Sequence, residues 1–145
     1  MPQATYQDAE LILKLYDLRR EEKLRAARAW FTANFFAQSV GEAMEKYPPG
    51  SEPNAYFRMV LSYWDMAASF VAKGVLHEEL FFENNSEMLF VWERARSFIE
   101  DFRRVRKNPL PYRNLERTAF RFIQWMNHNA PGAYESLQAM VHPKR

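Results

Sequence analysis

The stretch NAYFRMVLSYWDMAASFVAKG, residues 54–74, decides the fold class. Its polar positions Arg58, Ser62, Asp65, Ser69 and Lys73 are spaced by 4, 3, 4 and 4, and nearly everything between them is apolar. That is the period of an α-helix with one thin polar seam, and such a helix is wrapped by neighbours on most sides. Pro53 is tolerated in the first turn, and Gly74 fits the left-handed position that ends many helices. A chain assembled around this segment is expected to be all-α.

Working outward, Val75 to Glu83 reads as a short turn or helix packed by Leu76, Leu80 and Phe81 or Phe82. Asn84, with Glu87 three residues on, has the spacing of a capping box for the next helix. In that helix Met88, Val91, Ala95, Phe98, Phe102 and Val105 step at helical intervals, with Trp92 and Ile99 widening the seam. Glu93, Arg96, Glu100, Asp101 and Arg104 are expected to face outward. Asn108-Pro109-Leu110-Pro111 ends it. A further helix turns Leu115, Ala119, Phe122, Ile123 and Met126 inward, and Ala133 to Val141 offers a last short one. Towards the N-terminus, Thr5 or Asp8 can cap a helix with Leu11, Ile12, Leu15 and Leu18 on one face. Helical spacing resumes at Leu24 and runs to Met44, before the loop Tyr47-Pro48-Pro49-Gly50-Ser51. Whether residues 1–47 make one bent helix or two is open, since the run Arg19-Arg20-Glu21-Glu22-Lys23 holds no helix breaker. The expected architecture is a single domain over 1–145, a bundle of five to six mostly antiparallel helices.

The 145 residues can bury a core without cross-links, and the 16% aromatic share (twelve Phe, seven Tyr, four Trp) is high for that size. With no cysteine there is no disulfide framework, thiolate metal site or cysteine nucleophile. No basic segment followed by an apolar core opens the chain, and no stretch is apolar enough to span a bilayer. The expectation is a soluble, cytoplasmic protein. The net charge of +2 is unevenly spread: residues 51–100 carry −4 and residues 101–145 carry +6.

Tyr63-Trp64-Asp65, then Lys73-Gly74-Val75, Glu79-Leu80-Phe81-Phe82-Glu83, Glu87-Met88 and Val91-Trp92-Glu93 make a pattern that resembles a family of uncharacterised, all-helical bacterial proteins, a domain of unknown function. The likeness is strongest over residues 56–104. It implies a helical fold and no known reaction.

Catalytic and metal chemistry find little footing. No Glu precedes His77, His128 or His142 by three residues, so the di-iron bundle pattern is missing. His77, Glu79 and Glu83 could meet a metal only as a loose elbow cluster. No nucleophile elbow or phosphate-cradling glycine loop is present. The expectation is no enzyme, no cofactor and no metal. The seam Arg58, Ser62, Asp65 and Ser69 is a candidate polar site. A buried Asp65 needs a partner, and one from another helix is expected, with Arg94 or Glu83 able to join it in a small polar pocket. Arg113, Arg117 and Arg121 form a candidate basic ridge that could meet phosphates or an acidic partner, or pair with the acidic elbow at Glu78, Glu79, Glu83 and Glu87. Trp30, Phe36, Phe82, Phe90, Phe120 and Trp125 lie off the best apolar seams and are candidate contact aromatics. Together these suggest a protein-interaction module, with self-association as one mode. Nucleic-acid or acidic-partner binding through the ridge is one alternative, and small-molecule sensing in an aromatic pocket around Tyr63, Trp64, Trp92 and Phe98 is the other.

Overall fold

The computed structural model describes residues 2–142. Among the described residues there are eight helices and no strand: α1 (Tyr6–Arg19), α2 (Glu22–Asn34), α3 (Val40–Lys46), α4 (Glu52–Ala72), α5 (Glu78–Asn84), α6 (Ser86–Arg106), α7 (Arg113–Asn129) and α8 (Ala133–Val141). The all-α expectation holds, and the count of five to six is corrected to eight. The surplus arises where side chains cap helices inside apparently continuous patterns. Glu21 accepts the Leu24 N–H at 2.9 Å and starts α2 afresh after Arg20. Farther on, the Tyr47 hydroxyl donates to the Asn34 carbonyl at 2.6 Å and accepts the Phe36 N–H at 3.2 Å, which closes α2. Ser39 then caps α3, whose Val40 N–H reaches the Asp101 carboxylate of α6 at 2.8 Å. Residues 1–47 therefore hold three helices, Met1 lying outside the described residues.

The central α4 is as buried as its seam implies: Phe57, Val60, Leu61, Trp64, Ala67 and Ala68 are all 2% exposed or less. It packs mainly between α2 and α7, while α6 touches α3, α7 and α8. Gly74 (φ 76°) ends α4 in a Schellman pair, the Val75 N–H on the Phe70 carbonyl and the Gly74 N–H on that of Val71. The aromatic share goes largely to the core, where Phe31, Phe35, Tyr47, Phe57 and Phe98 form one set of ring contacts.

One further expectation changes. Asn84 does not cap α6: that position belongs to Asn85, whose amide is spent on the Phe81 carbonyl and on Arg19, while Glu87 pairs with Arg28. One pair of helices runs parallel, which a mostly antiparallel bundle allows. The contacts Asp65–Leu115 and Ala68–Thr118 advance together along α4 and α7, so these two run in the same direction where they touch. Two helices, α5 and α6, intervene between them, and the chain returns with its original sense. Between α6 and α7, Trp92 meets Phe120 and Arg103 meets Glu116, an antiparallel pairing.

Candidate functional site

The seam does not converge into a pocket. Arg58 and Ser62 are exposed on α4, and the Ser69 hydroxyl donates back to the Met66 carbonyl of its own helix. Asp65 does find its partner on another helix, and that partner is backbone. Its Oδ1 accepts the Leu115 N–H at 2.9 Å. Burial raises its pKa, against the amides of Leu115 and Asn114 and the charge of Arg103, which lower it. The structure explains why α7 needs this. Its N-cap residue, Tyr112, sits in the left-handed region (φ 59°) and makes no side-chain capping bond, so the first amides of α7 are satisfied from α4.

Arg94 and Glu83 are not part of this arrangement. Arg94 is buried on the other side of α6, its Nε on the Val141 carbonyl at 3.2 Å and its Nη1 on the carbonyls of Thr32 (3.1 Å) and Phe35 (3.2 Å). A cation thus closes the C-terminal ends of α2 and α8, where helix carbonyls favour positive charge. Its guanidinium lies 4.2 Å from the Phe36 ring centroid and 4.7 Å from that of Phe90. Glu93 is also buried, at 1% exposure, rather than facing outward. It accepts the Tyr134 hydroxyl and meets Arg96 at 3.3 Å. Burial first, then the bond to Glu93, pushes the Tyr134 pKa up to about 12. Helical phase carried the signal for Arg94: it stands three residues after Val91 and four before Phe98, on the same inner face.

On the basic ridge, Arg113, Arg117 and Arg121 are all exposed along α7, and Arg121 is bonded through Nε and Nη2 to Glu78 of the acidic elbow. Lys144 and Arg145, counted in the basic segment, lie outside the described residues. Among the contact aromatics, Phe82 is a core residue at 2% exposure, stacked on Phe122 at 4.4 Å, and leaves the set. Trp30 packs on Tyr47, Trp125 on Phe82 and Phe122, and Phe36 and Phe90 flank Arg94. Of the six only Phe120 is exposed, at 47%, with its ring edge on Trp92. Tyr63, Trp64, Trp92 and Phe98, around which a sensing pocket is expected, are all buried side chains.

The outward apolar surface lies instead on α1. Only Asp8 and Leu15 of this helix are buried. Tyr6 is 79%, Leu13 63% and Tyr16 47% exposed, and with Ala9 they step 3, 4 and 3 residues along one side. Polar ties hold this side outward. Tyr63 of α4 donates to the Leu15 carbonyl at 2.6 Å, and Arg28 of α2 to the Arg19 carbonyl at 3.1 Å. Arg19 reaches Asn85 at 2.8 Å. Asp8 accepts the His77 N–H at 2.9 Å and the Thr5 N–H at 2.7 Å, and these amides, Thr5 first, lower its pKa. His77 caps α5 with Nδ1 on the Leu80 N–H, and its Nε2 lies 2.9 Å from the Pro2 carbonyl, a pair of bonds that an Nε2–H tautomer satisfies. Among the described residues no three His, Asp or Glu side chains are placed to hold a metal ion.

These features define an all-helical domain with an outer helix moored by hydrogen bonds. The chain belongs to the family described as a domain of unknown function (DUF4760), whose model matches residues 4–122 and so runs from the start of α1 into α7. No curated protein and no solved structure matches. Among the described residues no helix is long and apolar enough to cross a membrane.

Proposed function

We propose that this chain is a non-enzymatic protein-interaction module that associates with a second copy of itself through the outer side of α1. The observation that carries the reading is the stripe Tyr6–Ala9–Leu13–Tyr16, exposed on a helix whose other side is fixed to the body. Two copies of α1 packed antiparallel about a two-fold axis near residue 11 set each Tyr6 opposite Tyr16 of the other copy, and each Ala9 opposite Leu13. An isologous contact has to be self-complementary in this way, with small residues against large and aromatics at the ends. One helix pair is a small interface, which makes the association reversible, with a dissociation constant of roughly 10–100 µM. With no cysteine to oxidise, the chain suits the reducing cytoplasm of a bacterial cell.

Light scattering coupled to size exclusion, from about 1 mM down to 10 µM, tests the reading. The expected result is a mass that falls from dimer towards monomer on dilution, and a Leu13→Glu variant that stays monomeric with unchanged melting. A wild-type chain that is monomeric at 1 mM overturns it.

A further inference from the structure

A cavity of about 280 Å³ opens between α4, α6 and the turn before α7. Phe57 and Phe98, both 2% exposed, together with Phe102 and Tyr112 give it aromatic walls. Arg58 of α4 and Arg106 of α6 also line it, with Met44, Pro49 and Asn54, and no Asp or Glu belongs to it. Among the described residues Arg28, Arg96, Arg103, Arg104 and Arg121 each meet a carboxylate, whereas these two arginines form no such ion pair. Among the described residues, Arg58 has only the Asn54 carboxamide at 3.5 Å, and Arg106 lies 5.4 Å above the Phe102 ring. The nearby carboxylates are committed elsewhere, Asp65 to the first amides of α7 and Asp101 to Val40 and Arg104. Tyr112 is held at φ 59°, a conformation that costs a bulky residue energy and persists where the surroundings impose it.

We infer that this cavity binds a small organic acid, its apolar body between the Phe98, Phe102 and Tyr112 rings and its carboxylate on the Arg58 and Arg106 guanidinium groups. Arginine suits that role because its planar donors match a carboxylate, and the rings supply apolar contact for the remainder of the ligand. The volume fits a ligand of about ten heavy atoms, with an expected dissociation constant of roughly 0.1–1 mM.

Benzoate and benzamide, alike in shape and unlike in charge, are the probes. In titrations of the full chain followed by backbone amide NMR, benzoate is expected to shift resonances of Phe98, Phe102 and Tyr112 and to saturate. Benzamide is expected to bind roughly tenfold more weakly or not at all. An Arg58→Gln/Arg106→Gln double variant should lose benzoate binding by a similar factor while keeping its melting temperature, since both side chains are exposed. Equal binding of the two probes overturns the inference, as do benzoate binding that survives the double substitution and an absence of shifts at 20 mM benzoate. Should the double variant melt early, the contrast between the probes on the wild-type chain decides alone.

Discussion

Replacing Asp65 with alanine removes the acceptor at the start of α7 and nothing else of that helix. The Leu115 N–H, belonging to a residue with 0% exposure, then has no partner. A buried unsatisfied donor costs about 1–3 kcal/mol, and loss of a helix cap typically about 1 kcal/mol. Against this, the variant no longer has to desolvate a carboxylate whose pKa burial has already raised. The net expectation is a loss of about 1–2 kcal/mol. For 145 residues the unfolding entropy is about 0.3 kcal/mol per kelvin, so the midpoint should fall by roughly 3–7 °C in a calorimetric scan. Asp65→Asn separates capping from charge. The amide keeps an oxygen for the Leu115 N–H, and because folding disfavours the ionised form here, giving up the charge should cost no more than about 0.5 kcal/mol. An alanine variant that melts with the wild type would mean that water satisfies α7 without help. An asparagine variant that falls as far as alanine would mean that the charge near Arg103 and the helix terminus does the work, and the capping argument would fail.

Two other outcomes are expected. Lys107 ends α6 at φ 53°, in a left-handed position that glycine adopts without penalty, and its side chain is exposed; Lys107→Gly should therefore stabilise the fold by about 0.5–1 kcal/mol in chemical denaturation. Asp8 has its pKa lowered by the amides of Thr5 and His77, so its contribution is present above its ordinary value of 3.8 and is lost as pH falls through the lower folded value. Asp8→Asn should flatten that part of the stability–pH curve below about pH 4, an effect opposite in sign to that of Asp65, whose raised pKa favours folding as pH falls.

Long elements were legible in the sequence because they repeat one pattern many times. The seam of α4 and the inner face of α6 could be read from spacing alone, although Val105 at the far end of α6 is 50% exposed, where the helix outruns the core. The breaks within residues 1–47 could not be read, since they are made by Glu21, the Tyr47 hydroxyl and Asp101, two of which act across the fold. The partner of Asp65 was hidden for a related reason: a backbone amide leaves no mark in residue identity. On α1 two apolar stripes coexist in the sequence, and periodicity does not say which is buried. The bonds from Tyr63 and His77 decide it, turning Leu11, Ile12 and Leu15 inward and leaving Tyr6, Leu13 and Tyr16 outside, with Leu18 also 51% exposed.

The shared direction of α4 and α7 bears on which lengths of chain can vary. Asp65 meets Leu115 and Ala68 meets Thr118, the same offset twice, so the two helices are keyed to one another like teeth on two racks. An extra residue in the loop at residues 107–112 changes the offset without changing the pitch, and both teeth can still mesh. An extra residue between positions 65 and 68 turns one tooth by about 100° relative to the other, and no repositioning of α7 restores both. Tolerance of insertions along this helix pair is thus set by a three-residue interval in the middle of the buried α4.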